Sequence, residues 1–148
     1  MALKGLTLWV AGFGLGCSAA SRDGSHDERA ETLPWSAPDR WGPLDVGALT
    51  MRWVDARGKE MMAEVWFPAE PDADDVPQPY PPLGLSAAAF RAVGPDTRYG
   101  PYPLVAFSHG YGGVRFQSLY LTEYLASHGH VVVSPQHRHN TFLDLNDD

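Results

Sequence analysis

The stretch from Gly100 to Gln136 constrains the fold of this chain more than any other part of it. An apolar run, Leu104 to Phe107, leads into a glycine-rich segment, and a helical pattern extends from about Arg115 to His128. A second apolar run, Val131 to Val133, follows. This order predicts a βαβ unit with two parallel strands. Because neither run alternates with polar residues, we expect both strands to be covered on both faces of a sheet.

Two alternating segments before this unit predict an antiparallel hairpin. Ala48 to Ala56 and Glu60 to Ala69 alternate in part, with Met51, Trp53 and Phe67 among the side chains on their more apolar faces. The acidic, proline-rich residues 70–82 predict a loop, and residues 83–93 predict a short helix. The fold class is therefore α/β, an antiparallel hairpin followed by one βαβ unit.

Composition excludes several classes of protein. The 148 residues suffice for one domain, and a hydrophobic content of 44% fits a globular chain. A net charge of −7 argues against non-specific nucleic-acid binding, which needs a basic surface. The single cysteine, Cys17, rules out an intramolecular disulfide and a multi-cysteine metal site.

The N-terminus has the layout of an export signal over residues 1–17. Lys4 precedes the uncharged run Leu6 to Leu15, which is too short to span a bilayer, and small residues lie before Cys17. A buried core helix is the alternative, disfavoured by the glycines in this run. Gly16-Cys17-Ser18 also resembles a bacterial lipoprotein cleavage site, although Gly14 stands where leucine is usual. We expect an exported cell-envelope lipoprotein, held in the membrane by acyl chains on Cys17, or a secreted protein if Cys17 is not lipidated. Residues 18–44 are predicted to be a tether or irregular lead-in.

The glycine-rich segment Ser108 to Gly113 is the candidate functional loop. It follows a predicted strand at its C-terminal end, which is where open α/β sheets place ligands. Glycines let main-chain N–H groups approach a ligand closely. Acyl transfer needs such donors, because negative charge develops on the carbonyl oxygen in the transition state.

These residues resemble one superfamily in particular. Phe107 to Gly113, the helix after it and Val132-Val133-Ser134-Pro135 resemble the third strand, first helix and fourth strand of α/β-hydrolases. The similarity is strongest to the branch of platelet-activating-factor acetylhydrolase and dienelactone-hydrolase-like lipases and esterases, and it covers about Val46 to Asn140. It implies that residues 45–148 are the N-terminal part of such a domain, an incomplete α/β-hydrolase fold.

The resemblance also implies roles for residues of the loop. The Tyr111 N–H would be one oxyanion donor, with His109 and Gly110 supporting the loop. The complete enzyme would cleave a small-molecule or lipid carboxylic ester through an acyl-enzyme, with no cofactor and no metal. Gln136 departs from the pattern, because many relatives carry Asp there.

The nucleophile motif of this superfamily, Gly-x-Ser-x-Gly, does not occur in the 148 residues. In this fold the serine, acid and histidine follow the oxyanion loop in chain order. We therefore expect the nucleophile and the triad acid and histidine to be absent, and this chain to be inactive by itself. The alternative is a non-catalytic envelope lipoprotein that retains the half-fold as a binding or interaction module.

Other histidine-based sites are weaker hypotheses. Ser108 as a nucleophile would need a nearby base. His109 is next in sequence, but adjacent strand residues point to opposite faces, so His109 is expected to brace the loop by hydrogen bonds. His137 and His139 could ligate zinc, yet no third ligand has telling spacing, and a solvated turn is favoured.

Overall fold

The computed structural model describes residues 32–81, 83–85 and 87–143, which form one mixed sheet with a helix packed on it. The predicted export signal and Cys17 lie outside these residues. The elements in chain order are β1 (Asp45–Val54), β2 (Glu60–Glu70), β3 (Phe90–Arg91), β4 (Gly94–Pro95), β5 (Leu104–Ala106), α1 (Leu119–Ser127) and β6 (Val131–Pro135). The strand order is β3-β1-β2-β6-β5, and β4 pairs with β2. The predicted α/β class is confirmed at this level.

The predicted hairpin is present. Strands β1 and β2 pair antiparallel from Asp45 opposite Ala69 to Val54 opposite Glu60. At the turn, the Asp55 carboxylate accepts the N–H groups of Arg57 and Lys59 at 2.8 and 2.9 Å. Asp55 thus caps the reversal with its own side chain, as turn aspartates commonly do.

Both faces of the hairpin are partly buried, and the buried residues of the more apolar face include Phe67. Ala48 and Trp66 are paired across the strands and fully buried, and they belong to the hydrophobic core with Ala126 of α1. Met51 and Trp53, on the other face, are exposed. The helix packs on the face of Ala48 and Trp66, so position in the sheet, rather than the hydropathy of single side chains, decides which residues are buried.

The βαβ unit is confirmed. Strands β5 and β6 pair parallel, from Leu104 opposite Val131 to Ala106 opposite Val133. The expectation that β5 is covered on both faces is wrong, because Leu104 is 68% exposed and Ala106 is also exposed. In the described part of the chain β5 is an edge strand, and only its other face packs against the core, through Val105.

The helix is shorter than predicted at its start. Ser118 has a left-handed φ of 60°, so α1 begins only at Leu119. The residues before it, including Phe116, are buried in the core without being helical. The predicted end is correct: Gly129 has φ 82°, and its N–H donates to the Ala126 carbonyl at 3.0 Å. Glycine suits this position because it adopts a positive φ without a Cβ clash.

The helix predicted for residues 83–93 is wrong. Leu85 forms an isolated bridge with Tyr80, and Phe90–Arg91 pairs with β1 instead. The Tyr80 hydroxyl accepts from Trp66 Nε1 at 2.6 Å and donates to Glu123 Oε1 at 2.8 Å. These long-range contacts fix the chain before and within the segment, and tertiary pairing overrides its weak helix propensity.

The described part of the lead-in is irregular, and its last residues pack on the end of α1. The N–H groups of Gly42 and Leu44 donate to the side chain and the carbonyl of Ser127 at 2.9 and 3.2 Å. Trp41 makes an edge-to-face contact with Tyr124 at 6.5 Å between ring centroids. Among the described residues, no helix has the length and apolar character needed to cross a membrane.

Candidate functional site

The glycine-rich loop continues directly from β5 at the carboxyl end of that strand. The Phe107 N–H still donates to the Val133 carbonyl of β6 at 2.8 Å, so the sheet guides the chain into the loop. Within the loop, the Gly113 N–H donates to the Gly110 carbonyl at 3.0 Å, which closes a tight turn. Gly112, with φ 72°, donates to the Asn140 carbonyl at 3.0 Å, so the segment after β6 holds the loop from one side.

Tyr111 lies at the tip of this turn. Its side chain is 83% exposed, and nothing in the described part of the chain accepts a hydrogen bond from its N–H. Gly110, next to it, has open space where a Cβ would lie. The loop therefore presents an unused main-chain donor with no side chain crowding the glycine beside it, an arrangement that can bind a carbonyl oxygen or oxyanion.

His109 is buried beneath the loop and is hydrogen-bonded on both ring nitrogens. Its Nε2 accepts the His137 N–H at 3.2 Å, so the ring proton is assigned to Nδ1, which donates to the Gly110 carbonyl at 2.9 Å. The neutral imidazole thus links the loop after β5 to the segment after β6. With both nitrogens engaged, His109 is not a base for Ser108.

Ser108 contacts His137 and not His109, its neighbour in sequence. Its Oγ lies 2.8 Å from His137 Nε2, and the His137 ring packs against His109 at 4.6 Å between centroids. No carboxylate among residues 32–81, 83–85 and 87–143 bonds His137, so the pair lacks the third group that orients a catalytic histidine. Parallel pairing of β5 with β6 is the signal that could have found this pair, because it brings the carboxyl ends of both strands together.

An ion cluster around the buried Glu64 includes Arg115, which follows the loop, and no sequence pattern predicted this cluster. Glu64 of β2 is fully buried; its Oε1 accepts from Arg91 at 2.7 Å, and its Oε2 accepts from Thr50 at 2.9 Å and from Arg115 Nε at 3.1 Å. Burial lowers the pKa of Arg115, and the Glu64 carboxylate opposes that shift. The Arg115 N–H donates to Gln136 Oε1 at 3.2 Å, so the cluster ties the chain after the loop to the chain after β6.

The two histidines considered as zinc ligands lie in the segment after β6. His137 contacts Ser108 and His109, whereas His139 follows with a left-handed φ of 60°. The described part of the chain contains no group of three or more His, Cys, Asp or Glu side chains that could hold a metal ion.

The comparisons with known proteins point to esterases. Residues 87–143, from β3 to the segment after β6, match the sequence model of the family described as platelet-activating factor acetylhydrolase, isoform II. No curated protein sequence matches the chain. Among solved structures, a ferulic acid esterase from Streptomyces cinnamoneus is similar at 25% identity and a TM-score of 0.59, over 76% of this chain. The chain spans 38% of the length of that esterase. The resemblance to α/β-hydrolase-like esterases is thereby confirmed over part of the fold.

Proposed function

We propose that this chain supplies the oxyanion-binding part of a carboxylic ester hydrolase with the α/β-hydrolase fold. The observation that carries the proposal is the unbonded Tyr111 N–H at the carboxyl end of β5, inside the segment that matches the acetylhydrolase family. An N–H held ready for a developing oxyanion lowers the barrier to acyl transfer, because no reorganisation is needed during the reaction.

We assign the roles of individual residues by comparison with α/β-hydrolases. The ester carbonyl oxygen accepts from Tyr111, while His109 and Gly110 hold the turn that aims this N–H. In α/β-hydrolases the second donor belongs to the residue after the nucleophilic serine. Because Gly-x-Ser-x-Gly is missing from the sequence, the nucleophile comes from outside these 148 residues. The acyl-enzyme chemistry needs serine, histidine, a carboxylate and water, and so no cofactor.

The substrate class is a small-molecule or lipid carboxylic ester. The matched family is described as an acetylhydrolase, and the solved neighbour is described as a ferulic acid esterase. The shared chemistry of the two names is hydrolysis of an ester of a carboxylic acid, which is the level at which we propose the activity.

The first test uses the 148-residue chain. We expect no turnover of p-nitrophenyl acetate above buffer and no labelling by a fluorophosphonate, because Ser108 lacks an oriented base. Turnover that a serine-directed phosphonate abolishes would overturn this assignment of roles, and loss of that turnover in Ser108→Ala would then locate the nucleophile here.

The second test uses the complete reading frame of the gene that encodes this chain. We expect ester hydrolysis, and Tyr111→Pro should lower kcat by about 10²–10³ because it removes one oxyanion donor. Tyr111→Phe keeps the N–H and is the matched control, with kcat unchanged; circular dichroism checks that both variants fold. A complete frame without esterase activity, or equal activity of the two variants, would refute the proposal. A stop codon directly after Asp148 with a stable product would instead support a non-catalytic envelope lipoprotein.

Export and lipidation of Cys17 complete the proposal. Acyl chains on this cysteine would hold the protein at a membrane, since each buried CH₂ contributes about 0.8 kcal/mol. Labelled palmitate fed to the native host should be incorporated into the unmodified protein and not into Cys17→Ser, with Ser18→Ala as the control. Label retained in Cys17→Ser would contradict the lipid assignment.

A further inference from the structure

A cavity of about 410 Å³ opens between the free end of the β1–β2 hairpin and the segment after β6. Its lining is held by the backbone: Arg52 is paired with Met62, and the Gln136 N–H donates to the Met62 carbonyl at 2.8 Å. The Gln136 side chain is held in turn by the Arg115 N–H. The volume lies within the roughly 300–1,000 Å³ that small-molecule sites occupy. The cavity is therefore preformed, and its size suits a small organic ligand.

One side of the cavity is apolar and takes no part in the core. Val54 and Met62 line it on the face of the hairpin that Arg52 shares, because Arg52 pairs with Met62 and side chains alternate along a strand. Trp53 and Met61 also line the cavity, but they belong to the opposite face. None of these four residues belongs to the described hydrophobic core cluster. Valine offers apolar contact surface, and the methionine side chain adapts to the shape of what it touches. Such a wall can take the apolar body of a ligand without disturbing the fold.

The rest of the lining is charged, with an excess of positive charge. Arg52 and Arg138 line the cavity together with one carboxylate, Glu60. Neither arginine forms an ion pair with any residue that the structure describes. Arg52 also contributes, after burial and as a like charge, to lowering the pKa of Arg115. Two guanidinium groups against one carboxylate leave one surplus positive charge, in a chain whose net charge is −7.

We propose that this cavity binds a small amphiphilic monoanion, an aromatic or aliphatic carboxylate. Its carboxylate contacts Arg52 and Arg138, and its apolar body packs against Val54 and Met62. Guanidinium groups match the planar geometry of a carboxylate. The single surplus charge favours a monoanion over a more highly charged phosphate. This site goes beyond the proposed esterase function, since occupancy is measured without turnover.

The first experiment varies the charge of the ligand and leaves the protein unmodified. Isothermal titration calorimetry of the 148-residue chain compares 3-phenylpropanoate, 3-phenylpropan-1-ol and 3-phenylpropylamine, which share one apolar body. We expect saturable binding of the carboxylate, about three- to tenfold tighter than the alcohol, and weakening in high salt for the carboxylate alone. Met62→Ala should weaken binding of the carboxylate and of the alcohol alike, which locates the apolar body of the ligand in the cavity.

The second experiment varies the arginines. Arg52→Gln and Arg138→Gln should each weaken carboxylate binding about three- to tenfold and leave binding of the alcohol unchanged. Arg57→Gln removes the same charge from the turn of the same hairpin, outside the cavity, and should leave carboxylate affinity within twofold. Thermal melting followed by circular dichroism checks that the three variants fold alike.

Three results would overturn the site. They are no saturable binding of 3-phenylpropanoate up to its solubility limit, equal affinity for the alcohol or the amine, and an effect of Arg57→Gln as large as that of Arg52→Gln. The ligand series needs no variant, so the proposal stays testable even if a substitution prevents folding. None of these outcomes bears on the esterase proposal, whose tests read kcat.

Discussion

The buried ion cluster around Glu64 and the exposed loop at Tyr111 are neighbouring polar regions with opposite hydrogen-bonding states. Both carboxylate oxygens of Glu64 accept hydrogen bonds, and the residue is fully buried. The Tyr111 N–H has no partner among the described residues, and its side chain projects from the surface. Arg115 connects the two regions through Glu64 and Gln136.

This difference distinguishes buried polar groups, which stabilise the fold through their hydrogen bonds, from an exposed donor that can bind a substrate. A buried polar group without a partner costs about 1–3 kcal/mol, so the interior must satisfy nearly all of its donors and acceptors. An exposed N–H can bond water and costs little when left open. The unused donor of the loop can therefore persist only at the surface, where a substrate carbonyl can replace water.

The largest expected effect comes from breaking the buried cluster. Glu64→Gln leaves the buried Arg115 and the partly buried Arg91 without their carboxylate, and we expect the free energy of unfolding to fall by about 3–5 kcal/mol. Urea denaturation followed by circular dichroism measures it. Glu60→Gln changes the same residue type on the same strand at an exposed position, and should stay within about 0.5 kcal/mol. Equal effects of the two changes would show that the cluster contributes nothing to stability.

A second buried contact tests whether a hydroxyl that bridges an indole and a single carboxylate contributes as much as the ion cluster. Tyr80→Phe removes the hydroxyl between Trp66 Nε1 and Glu123 Oε1, leaving two buried groups short of a partner. We expect a loss of about 1–3 kcal/mol in urea denaturation. Burial, together with the nearby Glu123 carboxylate, raises the Tyr80 pKa, so the hydroxyl stays protonated and the loss should not vary between pH 6 and about pH 9. The exposed Tyr120→Phe is the control, and a comparable loss there would contradict the argument.

Substitutions at two glycines test whether the backbone of the Tyr111 loop has the conformation described. Gly112 has a φ of 72°, so Gly112→Ala should cost about 1–2 kcal/mol from backbone strain, although no atom obstructs its Cβ. Gly110 is equally open and has no positive φ, so Gly110→Ala should change the stability little. Thermal melting of both variants measures the difference. Similar melting temperatures would mean that the loop backbone is not held in the shape described.

The smallest effect concerns an ion pair that is open to water. Hydrogen bonds from Arg98 hold the pKa of Asp96 below its ordinary value, and the Arg98 side chain is largely exposed. A pKa that is lower in the folded state stabilises the protein above the unfolded pKa of about 3.9. That contribution is lost as the pH falls through the folded pKa. Urea midpoints between pH 6 and about pH 2.5 should therefore fall less steeply for Asp96→Asn than for the unmodified chain; parallel curves would exclude the linkage.

Part of the candidate site follows from local sequence alone. The apolar run before Ser108 and the glycines after it predict a strand that ends in a tight turn, and the structure has both. The pairing of Ser108 with His137 was missed, because the two residues are 29 positions apart and meet only through the parallel pairing of β5 with β6. For residues 83–93, local sequence predicted a helix that is absent. Leu85 instead forms a bridge with the buried Tyr80, and Phe90–Arg91 is a short strand.

The sequence by itself determined the elements whose signals are local. Hairpin β1–β2, the β5–α1–β6 unit and the helix end at Gly129 depend on periodicity and turn residues within a few positions, and all three are present. Only the tertiary structure decided which residues of the hairpin are buried and that Glu64 is one of them. Burial depends on which distant segment covers a surface, and a carboxylate becomes a core residue only where folding brings arginines from elsewhere in the chain to meet it.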